Sequence, residues 1–137
     1  MTRCLCLLAL ASALASAADL SPETLRGKLI VRAGQPPAVE TQDHRRILLD
    51  GDAPTRKVLH DERVDGFQME ARGHFTAPDR FTIDPQHTRA LLVRDHGRLK
   101  MITYWCDVCG IRAYTPGPCV CCQKETTLDL RDPDDIQ

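Results

Sequence analysis

The chain has 137 residues, 18 Lys+Arg against 19 Asp+Glu, and seven cysteines. Residues 1–17 read as an export signal; setting them aside removes Arg3, Cys4 and Cys6 and leaves 120 residues, 17 basic against 19 acidic side chains, and five cysteines. That length suits one domain, 18–137, and a charge so close to zero takes away the usual electrostatic case for a nucleic-acid or anionic-membrane partner. Nine Pro and eight Gly with only 4% aromatics point to a small, turn-rich β domain rather than a helical bundle.

Met1-Thr2-Arg3 supplies a short positive start, Cys4 to Leu14 is apolar, and Ala15-Ser16-Ala17 has the small-x-small pattern that signal peptidase accepts. The apolar run is shorter than the ~20 residues that cross a bilayer. No later stretch reaches that length. The expectation is an exported mature chain, periplasmic or extracellular, without a membrane span.

Gly27 to Arg32 is the first strand candidate, with Leu29 and Val31 on one side and Lys28, Ile30 and Arg32 on the other; Gly34-Gln35-Pro36-Pro37 breaks it. Arg45 to Leu49 is a second, closed by Asp50-Gly51. Asp52 can cap a short helix that starts near Pro54 and buries Val58 and Leu59. Phe67, Met69, Ala71, Gly73 and Phe75 then alternate with Gln68, Glu70, Arg72 and His74, which predicts a half-buried antiparallel strand with Gly73 as a bulge or bend. Phe81 to Asp84 is a short strand. Ala90 to Arg94 and Leu99 to Trp105 form a hairpin about Gly97, and Thr126 to Leu130 adds an edge strand.

Six or seven short strands with one short helix predict a mainly β fold. A small antiparallel barrel over 27–105 satisfies the pattern, and a two-sheet sandwich is the alternative. In strand number and helix placement the barrel resembles the oligonucleotide/oligosaccharide-binding (OB) fold.

All five remaining cysteines fall in one short segment: Cys106-x2-Cys109-x9-Cys119-x2-Cys122, with Cys121 between the last two. Two residues between cysteines let the chain fold back so that both sulfurs face one point, and two such pairs make a tetrathiolate site. Gly110 permits the left-handed conformation that follows such a pair, and Pro116-Gly117 reverses the chain between the pairs. Tyr104-Trp105-Cys106-Asp107-Val108-Cys109-Gly110 resembles the knuckle of zinc-ribbon and rubredoxin-type proteins, so a Cys-rich metal knuckle is expected over 104–124. The resemblance implies zinc, with iron as the alternative, on Cys106, Cys109, Cys119 and Cys122. No Gly follows Cys122 and Cys121 adds a thiol, so Cys121 stands as an alternate fourth ligand.

Two other readings compete. Export leads to an oxidising compartment, where crossing disulfides such as Cys106 with Cys119 and Cys109 with Cys122 would staple the segment, although five thiols cannot all pair within one chain. Cys106 and Cys109 could instead form a redox dithiol, or hold iron for electron transfer. A thioredoxin fold does not fit, since Gly110 and Pro116-Gly117-Pro118 leave no helix behind the pair.

His44, His60, His74, His87 and His96 are scattered, and Asp50-Gly51-Asp52 reads as a turn and a helix cap rather than a calcium loop. No nucleophile elbow, Walker loop or dinucleotide fingerprint is present, and no catalytic residue is assigned. The expectation is a binding or structural module with a structural metal. A protein partner fits it; few aromatics for base stacking and the net acidic charge argue against nucleic acid.

Overall fold

Five strands close into a ring in the computed structural model, which describes residues 21–135; the segment 1–17 lies outside the described residues. They are β1 (Glu23–Ile30), β2 (Ala38–Glu40), β3 (Arg46–Asp50), β4 (Gln68–Ala77) and β5 (Arg80–Ile83). Pairing runs β1-β2-β3-β5-β4 and back to β1. Directions cannot alternate all the way round an odd-numbered ring, so one neighbouring pair must be parallel. It is β3–β5, with Leu48 opposite Arg80 and Asp50 opposite Thr82, while every other pair is antiparallel. This is an OB-like barrel.

Alternation along β1 and β4 builds the interior. Leu25, Leu29, Met69 and Ala71 point inward to meet Val39, Ile47, Leu49, Phe81 and Ile83 from the other strands. A short helix, α1 (Ala53–Leu59), adds Val58 and Leu59 to this core. The expected cap is present: the Asp52 carboxylate accepts from the Thr55 backbone N–H at 3.0 Å and from its hydroxyl at 2.6 Å, with Pro54 in the first turn. A 3₁₀ turn at Glu62–Val64 buries Val64 beneath the helix and returns the chain to β4.

Gly73 differs from expectation. The irregularity in β4 lies between Phe75 and Ala77, whereas Gly73 pairs with Glu23 on one side and Ile83 on the other. A Cβ there would lie 2.0 Å from the Thr82 carbonyl oxygen. Gly73 is therefore the point where β5 crowds β4, and the bulge relieves the ring two residues later. Beyond it the inward pattern lapses. Phe75 is exposed and packs edge-on against Phe81, ring centroids 5.1 Å apart.

The chain then leaves the ring. After a single turn of helix, α2 (His87–Ala90), strand β6 (Leu91–Asp95) pairs with the first half of β4, so it lies outside the closed barrel rather than in it. The hairpin turn has His96 and Gly97 both at positive φ, 47° and 78°, as a two-residue turn with right-handed strand twist requires. It leads into β7 (Arg98–Cys106), whose Ile102 and Tyr104 join the barrel core. Two short strands, β8 (Ile111–Ala113) and β9 (Thr127–Arg131), flank β7 and hold the cysteine segment between them. Among the described residues no helix is long and apolar enough to cross a membrane.

Candidate metal centre

Each cysteine pair sits in a tight reversal. Cys106 ends β7 and is paired with Ile111 of β8, so residues 107–110 form the connection. Across the site, Pro118 bridges Glu125, and the Cys119 N–H donates to the Lys124 carbonyl at 2.8 Å. In the first turn the Gly110 N–H donates to the Cys106 carbonyl at 2.8 Å; in the second the Gln123 N–H donates to the Cys119 carbonyl at 3.0 Å. Gly110 and Gln123 both adopt positive φ, 64° and 61°. The second knuckle thus has the geometry of the first without its glycine.

The sulfurs follow the same symmetry. The Cys106 sulfur accepts from the N–H groups of Cys109 and Val108, and the Cys119 sulfur from those of Cys122 and Cys121. Such N–H groups offset negative charge on sulfur, which a tetrathiolate needs. The structure brings Cys106, Cys109, Cys119 and Cys122 together, with their Sγ atoms all within 4.8 Å of one another. Cys106 Sγ and Cys122 Sγ are 3.6 Å apart. Four sulfurs bound tetrahedrally at ~2.3 Å from one ion stand ~3.8 Å apart, so the residues present fit a zinc or iron ion. A disulfide would need ~2.05 Å, and the five cysteines among the described residues are free thiols.

Cys121 is placed outside the group, and the turn explains why. It is the third residue of its knuckle, as Val108 is of the first; Val108 is 59% exposed, and Cys121 is exposed in the same way. No histidine joins the cluster among the described residues. His74 and His96 lie at the surface, and Asp50 and Asp52 serve the Gly51 turn and the α1 cap.

Without a cation, four close sulfurs must share protons. Hydrogen bonding with Cys121, then with Cys122, pushes the Cys109 thiol well above its usual range. The Cys109 N–H favours the Cys106 thiolate, but burial and the thiols of Cys122 and Cys119 outweigh it and push that thiol up. Cys119 moves the other way: the N–H groups of Cys122 and Cys121 bring it down to about 7. A divalent cation stabilises the thiolate form of all four.

Three side chains with no signature in the sequence lock the knuckle to the barrel. Arg63, from the 3₁₀ turn, donates to the Thr126 carbonyl at 2.8 Å and lies 5.1 Å from the Tyr104 ring centroid. His87 is buried with Nε2 2.6 Å from the Tyr114 carbonyl oxygen. Arg112 of β8 donates to the Thr103 hydroxyl at 2.7 Å and the Asp129 carboxylate at 2.6 Å, and it covers the Trp105 ring at 5.1 Å. Their hydrogen-bond partners are 9 to 63 residues away along the chain, where no local pattern can reveal them.

No protein-family model, no curated protein and no solved structure matches this chain.

Proposed function

We propose that the protein is an exported binding or structural module in which one zinc ion, held by Cys106, Cys109, Cys119 and Cys122, fixes the C-terminal knuckle onto an OB-like barrel. The observation that carries this reading is the convergence of the four Sγ atoms on two congruent turns. A second feature says what the ion would do. Between residues 107 and 125 the only buried residue is Cys119, so the segment has no apolar core. The barrel draws about 2 kcal/mol from each buried Leu, Ile, Val or Phe, and the knuckle draws almost none. Linked metal binding, on the order of 10 kcal/mol, supplies what packing does not.

With sulfur in all four positions no site is left for water, which disfavours hydrolytic chemistry. A redox dithiol of Cys106 and Cys109 fits less well, because Cys106 is only 1% exposed. Export rests on the charged, apolar and small-residue order of residues 1–17.

The test is native mass spectrometry of the mature chain with and without a chelator. One zinc per chain, lost on Cys106→Ser together with the order of the C-terminal third, is expected. A visible absorbance band marks iron instead. A mass two hydrogens lower per bridge, with no metal, refutes the reading in favour of disulfides.

A further inference from the structure

We propose that the groove between the exposed face of α1 and the turn at Pro116 binds a small organic phosphate, its anion held by Arg56, Lys57 and His60 and its apolar body resting on Ala53 and Pro116. The site is separate from the cysteine cluster, and it does not depend on which ion that cluster holds.

Helix α1 buries Thr55, Val58 and Leu59, which turns Ala53, Arg56, Lys57 and His60, spaced i, i+3, i+4 and i+7, onto one exposed face. Pro116, from the turn between the two cysteine pairs, stands opposite. The space they enclose is about 490 Å³, within the range of small-molecule sites. Arg56 and His60 also line a second groove, of about 480 Å³, that reaches Pro36 and Pro37, so these two side chains stand where two concave surfaces meet. The walls are tied down. On either side of Pro116, the Tyr114 carbonyl oxygen lies 2.6 Å from His87 Nε2 and the Gly117 carbonyl accepts from the Thr126 hydroxyl at 2.9 Å. In the second groove the Leu49 N–H donates to the Pro37 carbonyl at 3.0 Å.

The charge here is not neutralised from within. The acidic side chains nearest in sequence are engaged elsewhere: Asp50 accepts from the Gly51 N–H, Asp52 caps α1, Asp61 pairs with Arg63, and Glu62 accepts from the Ala33 N–H. Neither the Lys57 nor the His60 side chain has a hydrogen bond or ion pair among the described residues. Arg56 is held in place, with Nη1 donating to the Gly51 carbonyl at 2.8 Å and lying 3.6 Å from the Asp50 carboxylate. Its other guanidinium N–H groups still face no acceptor among the described residues. Guanidinium, ammonium and imidazole together offer more donors than the two oxygens of a carboxylate can use, and they suit the three terminal oxygens of a phosphate ester. The Ala53 methyl and the Pro116 ring add no polar group, so the remainder of the ligand is apolar where it touches them.

The experiment titrates the full mature chain, as isolated, with phenyl phosphate and follows backbone amide shifts. Shifts should centre on the stretch from Arg56 to His60 and on Gly117, with a Kd of about 1 mM or tighter. Lys57→Gln should weaken binding about tenfold, through loss of one charge-assisted bond. Lys28→Gln, which removes an exposed lysine from β1, should bind as the wild type does. Phenol, which lacks the anion, should not bind, and inorganic phosphate, which lacks the ring, should bind more weakly than the ester. Absence of phenyl phosphate binding, shifts centred elsewhere, or phenol or inorganic phosphate binding as tightly as the ester overturns the inference. So does equal binding by Lys57→Gln; a loss of stability alone in that variant would assign the lysine to the dipole of the helix C-terminus.

Discussion

Gly110 and Gln123 occupy the same place in two superposable turns, at φ 64° and 61°, each donating its N–H to the carbonyl of the first cysteine of its pair. One of the two residues suits that conformation and the other does not. A left-handed conformation costs a residue with a Cβ roughly 1–2 kcal/mol, less what glycine loses through its freer unfolded chain. The second knuckle accepts this cost, which is consistent with the Cys121 N–H···S bond to the Cys119 sulfur, and an ion when bound, fixing the turn from inside.

Exchanging the residues should therefore move stability in opposite directions. Gln123→Gly should stabilise the metal-loaded protein by about 0.5–1 kcal/mol. Gly110→Ala should destabilise it by about 1 kcal/mol, through conformation alone, since nothing lies within 4 Å of the added Cβ. Chemical unfolding of the two variants checks both signs. A stabilising Gly110→Ala would show that the turn is not held in the conformation described.

Metal uptake should release protons. In the metal-free cluster Cys106 and Cys109 are pushed above the ordinary thiol range and are protonated at pH 8, whereas Cys119, at about 7, is already mostly thiolate. Zinc binding at pH 8 should displace the protons of Cys106 and Cys109, so apparent affinity should rise with pH through that region. Calorimetry in buffers of different ionisation enthalpy measures the number released. A binding heat independent of buffer contradicts the prediction.

How far the sequence carried depends on the range of each interaction. The cysteine spacing is local, and it announced the knuckle; the Asp52 cap announced the helix and the alternation from Met69 to Gly73 the strand, and all of these reappear in the structure. A small barrel was expected, but not that it closes through a parallel pair, because the Leu48–Arg80 pairing joins strands separated by a helix and a long strand. Strand β2, three residues long and directly after Pro36-Pro37, carries no period to detect. Gln123 concealed the symmetry of the knuckles: without glycine, only the fold reveals a left-handed turn there. The contacts of Arg63 and His87 join single polar side chains to distant backbone carbonyls, which leave no trace in composition or period.

Gly73→Ala should disrupt the barrel more than the addition of a single methyl to a buried strand position suggests. The new methyl would meet the Thr82 carbonyl oxygen at 2.0 Å, the Ile83 Cα at 2.9 Å and Phe81 Cε1 at 2.9 Å. Two of those atoms are backbone, so relief requires β5 to move as a unit and with it the only parallel pair of the ring. A loss of about 3 kcal/mol is expected, read as a lower denaturation midpoint. Loss of less than about 1 kcal/mol would mean that β4 and β5 are not in the register described.

Arg63 and Tyr104 make the last test, because the two neighbouring changes should differ. The Tyr104 hydroxyl is buried without a hydrogen-bond partner among the described residues. It lies beside the Asp61 carboxylate without reaching hydrogen-bonding geometry, and burial, then that carboxylate, keeps it protonated. Tyr104→Phe removes an unsatisfied group and should stay within about 1 kcal/mol of wild type. Arg63→Ala removes the bond to Thr126, the cation over the Tyr104 ring and the partner of Asp61, whose carboxylate is 2.9 Å from Arg63 Nε. A loss of about 2 kcal/mol is expected. Burial alone would raise the Asp61 carboxyl, but its Arg63 side-chain and backbone hydrogen bonds win and hold it below its ordinary range. A depressed carboxyl contributes stability that is present above about pH 4 and lost as pH falls below it. Wild type should therefore lose its advantage over Arg63→Ala in acid, and a stability gap between the two that is constant from neutral pH to below about pH 3 would exclude the Asp61–Arg63 pair as its source.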